Sequence, residues 1–380
     1  MKMMHYIKFS LFHVLTLITI AALFFAQHWI VYGYVAITFF IIAGDALLGD
    51  DTTIPGYRNK WLLDLQLFIA LPLLFILLFI SLWHISSQDP LGFGQFLQST
   101  FGYDLFLARE NTHTWHHVVA IFFVGLMVST IGTVTGHELV HRTYSPGSVT
   151  VGRWLLAFSF DANFSVEHVY GHHRYVATAE DPATAPRGRN VYQHIVLSTI
   201  KGNISAWNIE KQRLIRKGQN VFSHHNVCLR GYLMSIVLLL LSYTIAKWAG
   251  VLFFTLSALW AKAMLEIVNY MEHYGMVRNP KKRVEPRHSW NTNKKISSWA
   301  MFNLSRHSHH HAHGQLPYHQ LKPYPQAPTM ISGYLATIFI TMIPPLWFKL
   351  MKPKLKEWDE KYANDEEKAL LNHQLSNSNS

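Results

Sequence analysis

Six long apolar runs decide what this chain can become. They are Phe9 to Ala26, Trp29 to Leu48, Leu65 to Trp83, His116 to Gly136, Tyr232 to Ala246 and Ala249 to Val268. Most reach about 20 residues, the length an α-helix needs to cross ~30 Å of hydrocarbon. Lipid offers no water to backbone N–H and C=O groups, so such runs fold as helices that satisfy themselves. Composition agrees, with 50% hydrophobic and only 14% charged residues. The expected fold class is all-α integral membrane with six transmembrane helices. One membrane-embedded domain is expected over residues 1–350, followed by a polar tail over 351–380. Lys2 and Lys8 before the first run resemble a signal peptide. No small-residue cleavage site follows and the second run begins at once, so the run reads as an anchor. Gln27 and His28 mark one turn between spans; Lys247 and Trp248 mark another.

Basic residues set the expected orientation. The loop from His84 to Trp115 carries only Arg109, whereas the loop from His137 to Arg230 carries many. The positive-inside rule then places both termini and the basic loops in the cytoplasm, on a multi-pass protein of the inner (cytoplasmic) membrane. The net charge of +11 gathers in Arg174 to Arg230 and Arg278 to Arg306. These loops lack the interleaved aromatics that bind single strands, so nucleic acid is not an expected partner. Two shorter apolar pieces do not read as spans. Val151 to Phe164 contains Arg153 and Asp161 and reads as an interfacial helix. Ile331 to Phe348 is interrupted by Pro344 and Pro345 and flanked by Lys322, Lys349, Lys352 and Lys354. It is expected to dip in and return, or to lie at the interface. Beyond Lys354 the chain is charged, and Ser376 to Ser380 are expected to be disordered.

The chemistry is carried by histidine. RHSHHHAH, Arg306 to His313, sets His307, His310 and His311 at i, i+3 and i+4, which share one face of a helix. HELVH supplies His137 and His141, EHVYGHH supplies His168, His172 and His173, and NYMEHYG supplies His273. Nine imidazoles exceed the four that close a zinc site, so two metal ions are the economical reading. Imidazole suits zinc, copper, iron and nickel alike and does not choose among them. HELVH alone is also the zinc protease signature, which needs one further ligand. Glu138, Glu167 and Glu272 each stand beside a proposed ligand. Each either accepts a hydrogen bond from an imidazole, binds a metal directly or pairs with a nearby arginine. Lys262 and Glu266, i and i+4 inside the sixth run, are expected to be paired, because lone charges at that depth are costly. The single cysteine, Cys228, excludes a disulfide framework and any Cys-ligated iron–sulfur centre, so if the chemistry consumes electrons they must come from elsewhere.

HELVH, EHVYGHHRYVATAEDPATA, NYMEHYGM and NLSRHSHHHAHG resemble the four signature boxes of the integral-membrane alkane 1-monooxygenases. That family belongs to the fatty-acid-desaturase-like, histidine-rich non-haem di-iron enzymes. The resemblance runs from about Gly44 to Trp347 and includes HSWN at His288 to Asn291 and IPPLWF before the tail. It implies two Fe ions facing the cytoplasm and O2-dependent hydroxylation of the terminal methyl group of an n-alkane. It also implies nine ligands at His137, His141, His168, His172, His173, His273, His307, His310 and His311; Glu138, Glu167, Glu272 and Asp181 are the candidate carboxylates to support them. The implied electron donor is a rubredoxin with its NAD(P)H-dependent reductase, docking on a basic face around Arg174, Arg187, Arg189, Lys281, Lys282 and Arg283. An apolar substrate would enter from the lipid bilayer. Its chain length would be set by side-chain bulk on the second helix, at a position matching Ile37, about two turns before Asp45. One departure lies in the last box: the family usually has aspartate where this chain has His309, which leaves His309 and His313 as competing ligands. The related alternatives are a xylene-type methyl hydroxylase and a fatty-acid desaturase or hydroxylase; an intramembrane zinc protease and a metal-handling membrane protein stand further off.

Overall fold

The computed structural model describes residues 2–378, whose regular elements are all helices; Asn379 and Ser380, in the expected disordered end, lie outside the described residues. Its helices are α1 (Met3–Phe25), α2 (Gln27–Leu47), α3 (Lys60–Ile85), α4 (Phe93–Phe101), α5 (Leu105–Glu110), α6 (Thr114–Val140) and α7 (Pro146–Ala157). There follow α8 (Phe164–Glu167), which runs on through a π-helical turn to Tyr175, α9 (Val191–Arg216) and α10 (Val227–His273). The last five are α11 (Lys295–Ala300), α12 (His307–Ala312), α13 (Tyr334–Thr341), α14 (Pro344–Lys361) and α15 (Asp365–Ser378). Five helices, α1, α2, α3, α6 and α10, are long and apolar enough to cross a membrane.

α10 has 47 residues and would be about 70 Å long if straight, twice the hydrocarbon thickness. It is not straight. Ala246 and Lys247 leave helical backbone angles, with Lys247 at φ 52°. A Cβ added at Gly250 would lie 2.5 Å from the Ser242 carbonyl oxygen. In a continuous helix those residues would be ~12 Å apart along the axis. The chain therefore folds back on itself at Lys247, and α10 is a hairpin of two spans. Counted so, the six expected spans are present.

The chain divides into two compact units. The first holds the described residues up to Phe40, Tyr57–Ala162 and Leu229–Ala263. In it Ala26 and Gln27, with φ of 58° and 48°, reverse the chain between α1 and α2. Arg109, the lone basic residue of its loop, lies over the Trp83 ring and donates to the Ser86 and Gln88 carbonyls. The apolar piece Val151 to Phe164 is packed inside the protein: α7 ends at Ala157, and both Arg153 and Asp161 are buried. Two glycines allow this packing. A Cβ at Gly136 of α6 would meet the Gly152 carbonyl at 3.0 Å, and one at Gly152 the Gly136 carbonyl at 3.0 Å, so the two helices pack at backbone distance. Lys262 donates to Asp161 at 2.7 Å, a partner on another element than the one its i, i+4 spacing names.

The second unit holds Ile41–Gly56, Asn163–Cys228 and the described residues from Met264 onward. Asp45, at the end of α2, accepts from the Ser297 backbone N–H (2.9 Å) and hydroxyl, and the Ser297 oxygen accepts from the Tyr334 N–H at 2.9 Å. One buried carboxylate thus ties together the starts of α11 and α13. Glu266 accepts from Ser198 on α9. α13 and α14 bend by 119° at the proline pair that interrupts Ile331 to Phe348. The polar tail is ordered where it is described. The expected boundary at 351 falls inside α14, and α15 begins with a capping box: Asn364 Oδ1 accepts from the Glu367 N–H, and Glu367 accepts from the Asn364 N–H at 3.0 Å.

Candidate metal centre

The EHVYGHH box does not form a plain α-helix. His168–His172 is a π-helical turn, which widens the register from i+4 to i+5. His168 and His173, five residues apart, therefore line up, with their Nε2 atoms 3.1 Å apart. His310 of α12 joins them, its Nε2 3.1 Å from that of His173. His172 turns to another group. Its Nε2 lies 3.2 Å from that of His311, His311 lies 2.9 Å from His307, and His307 lies 3.1 Å from His273. The nitrogens of His172, His273, His307 and His311 all fall within 4.8 Å of one another, and all four residues are buried. We call these four the inner group, and His168, His173 and His310 the outer group. The three histidines of α12 share a face, as their spacing predicts, but that face serves both groups: His307 and His311 one, His310 the other.

Tautomers in the inner group are set from behind. His273 Nδ1 lies 3.2 Å from the His288 carbonyl oxygen. A carbonyl only accepts, so Nδ1 carries the proton and Nε2 offers a bare lone pair. His172 Nδ1 lies 2.9 Å from Asp181 Oδ2, with both side chains almost fully covered. Burial alone would raise the Asp181 pKa, but the His172 imidazole beside it holds the carboxyl below its ordinary value. Thr184 donates to the same oxygen at 2.6 Å, and the Ala183 N–H donates to the other at 3.1 Å. This carboxylate–histidine arrangement orients metal-binding imidazoles and raises their basicity. Burial first, and then His307, His173, His172 and His273, push His311 far below its usual pKa. The hydrogen bond at His273 Nδ1 and the lowered pKa of His311 leave those two imidazoles with bare lone pairs in the middle of the inner group, the electronic state a cation requires.

The remaining candidates divide. Glu272 accepts from the Tyr334 hydroxyl at 2.6 Å, and its other oxygen lies 3.2 Å from His307 Nε2. Glu138 follows the arginine reading: Arg142 contacts it at 3.1 Å and Asp64 at 2.7 Å. Glu167 Oε1 fills the space a Cβ at Gly171 would need, 2.7 Å away. His137 and His141, at the end of α6, bring their rings within 4.7 Å of each other. His309 stands apart from both groups, against His313 (4.8 Å between centroids) and Tyr324 (5.1 Å). Burial, His313, Lys322 and Arg306 lower its pKa to about 4. Ile37 is 2% exposed, a packed residue and not a lipid-facing one. Two contributors escape sequence reasoning. Gly314 leaves room for the His173 ring, since a Cβ there would come within 2.9 Å of it. Tyr334 sits in an apolar piece with no motif around it. The first is hinted at by the glycine that closes RHSHHHAHG; the second has no sequence signal.

Known proteins match this arrangement. Residues 112–327 match the fatty acid desaturase family model. The chain is 38% identical to alkane 1-monooxygenase 1 of Pseudomonas aeruginosa over 65% of each protein. It is 36% identical to alkane 1-monooxygenase 2 of the same organism, over 68% of this chain and 70% of the relative. The chain belongs to the alkane 1-monooxygenase family. The aligned stretch spans about two thirds of these relatives' own length. The hydroxylase component of a Pseudomonas putida xylene/toluene monooxygenase is also similar, at 33% identity over 62% of this chain and 63% of that protein. Membership of this family and the histidine groups together point to a non-haem iron site in a multi-pass membrane enzyme that acts on an apolar substrate.

Proposed function

We propose that this protein is an O2-dependent monooxygenase that hydroxylates the terminal methyl group of n-alkanes, with two irons held by nine histidines. The observation that carries the reading is the convergence of four buried imidazole nitrogens in the inner group, with three more beside them. Neighbouring Nε2 atoms stand 2.9 to 3.2 Å apart. Four imidazole nitrogens this close would hold one cation between them, and imidazole is a suitable ligand for iron. The two groups supply the ligands of two ions, and the HELVH motif assigns His137 and His141 to the same centre.

Iron held there supplies O2 activation: one oxygen atom enters a C–H bond and the other leaves as water, with two electrons and two protons consumed. The chain's own residues fix the ligand tautomers, through Asp181 and the His288 carbonyl, and keep the inner group dry. Electrons come from a rubredoxin and its NAD(P)H-dependent reductase. Arg187 is not a free docking residue, since Asp359 accepts from both its terminal guanidinium nitrogens (2.9 and 2.6 Å) and the Gly275 carbonyl accepts from Nε (2.9 Å). Arg174, Lys281, Lys282 and Arg283 are exposed and form the basic surface for an acidic carrier. The metal face and both termini lie on the cytoplasmic side of the inner membrane, by the distribution of basic residues. Conversion of an alkane series by cells that co-express a rubredoxin and reductase tests the reading. It predicts 1-alkanols. Products from xylene but none from any alkane would replace it with the aromatic methyl hydroxylase reading that the Pseudomonas putida relative favours.

A further inference from the structure

The C-terminal helix reaches the metal ligands through one carboxylate. Glu367 is 2% exposed although it lies in a polar tail. Its Oε1 is 2.8 Å from His288 Nε2, and Arg287 contacts both its oxygens at 3.2 to 3.3 Å. The other His288 nitrogen, Nδ1, accepts from the Glu285 N–H at 2.9 Å, so Nε2 carries the proton and donates to Glu367. The His288 ring is thereby clamped at both nitrogens, and its own carbonyl oxygen receives His273 Nδ1 at 3.2 Å. Trp358 of α14 donates to the Arg287 carbonyl at 2.6 Å, one residue away. Glu367 also closes the capping box that starts α15, so the folding of α15 and the position of His288 are settled by the same side chain.

We propose that Glu367 is a positioning residue for the metal centre, holding His288 so that its carbonyl fixes the tautomer and direction of His273. The proposal rests on the reading of His273 as a ligand. The coupling runs from tail helix to loop, from loop carbonyl to imidazole, and from imidazole to metal. An outer partner of a ligand is worth about 10- to 100-fold in metal affinity. Glu367 acts one residue further out, so an effect at the lower end of that range is expected.

The test uses purified, iron-loaded full-length protein in detergent. The rate of iron loss to a chelator is followed in the unaltered protein, in Glu367→Ala, in Glu367→Gln and in Lys368→Ala. Glutamine still closes a capping box but loses the charge that holds Arg287 and His288. The proposal predicts iron loss about tenfold faster in Glu367→Ala and severalfold faster in Glu367→Gln, with Lys368→Ala unchanged. An altered Mössbauer signal of the retained iron in the Glu367 variants is also expected, a change that loosened packing alone would not produce. Equal loss rates in all four proteins overturn it. Equal acceleration by Lys368→Ala overturns it as well, because the effect would then belong to α15 as a whole. If Glu367→Ala does not fold, Glu367→Gln decides. An unaltered protein that holds no iron refutes the metal reading itself and is distinguishable from both results.

Discussion

The outer histidine group is drawn from two of the three boxes that make the inner one, and the two groups differ in burial. The inner four are all buried, and two are oriented by hydrogen bonds, His172 by Asp181 and His273 by the His288 carbonyl. In the outer group His168 stacks on Phe164 at 4.2 Å, and His173 is only half-buried, with Gly314 against its ring. A hydrogen bond to Nδ1 fixes both the tautomer and the ring angle. The lesson is that the inner group is buried at every member, with two rings fixed from behind, whereas the outer group meets solvent at His173.

The largest effect should come from His311→Ala. Its Nε2 sits between those of His172 and His307, so removing it opens the inner group from the middle. Alkane turnover should fall by about 100-fold or more, with iron content reduced, since ligands exceed the 10- to 100-fold of their outer partners. Turnover within severalfold of the unaltered protein would show that the inner group is not the working one. Next, Asp181→Asn should weaken iron binding by roughly 10- to 100-fold. Phe164→Ala should cost only a few-fold, because it removes a stacked ring and no hydrogen bond to an imidazole. If the two variants bind iron equally well, the contrast between the groups fails.

Gly314→Val should press on His173 and speed the loss of part of the iron, leaving the inner portion in place. Chelator removal that becomes two-phased in this variant supports the contrast; a single uniform rate argues against it. Ile37→Trp should shorten the longest alkane accepted without changing iron content, and an unchanged product profile would end the assignment of Ile37 to the substrate path. The smallest effect is on stability with pH. Glu367 has a pKa below its ordinary 4.5: burial raises it, but His288, the Asn364 N–H and Arg287 outweigh that. A carboxylate depressed on folding stabilises above its unfolded pKa and loses that contribution as pH falls through the folded value. Thermal unfolding should therefore drop more steeply below about pH 4.5 in the unaltered protein than in Glu367→Gln. Parallel curves would contradict it.

Much of this was legible before any fold was known. Apolar run lengths marked the spans, and Lys247 beside Trp248 marked the hairpin that splits α10. The histidine spacings named the residues that converge. What was not legible depends on backbone register and on long-range pairing. A π-turn cannot be read from EHVYGHH, yet it alone sends His172 to one group and His168 with His173 to the other. The burial of Arg153 follows from Gly136 meeting Gly152, residues in separate helices whose approach no local pattern announces. Glu367 looked like one more charge on a solvated tail. Its role depends on a partner 79 positions away.

The central claim is that the imidazoles form two neighbouring sets, each holding one iron. Metal analysis of the purified protein, paired with Mössbauer spectroscopy of iron-57-loaded samples, tests it most directly. The account predicts two irons per chain in nitrogen-rich sites, with the His311→Ala protein losing the inner one first. A single zinc per chain, or a folded protein that retains no iron, would contradict it.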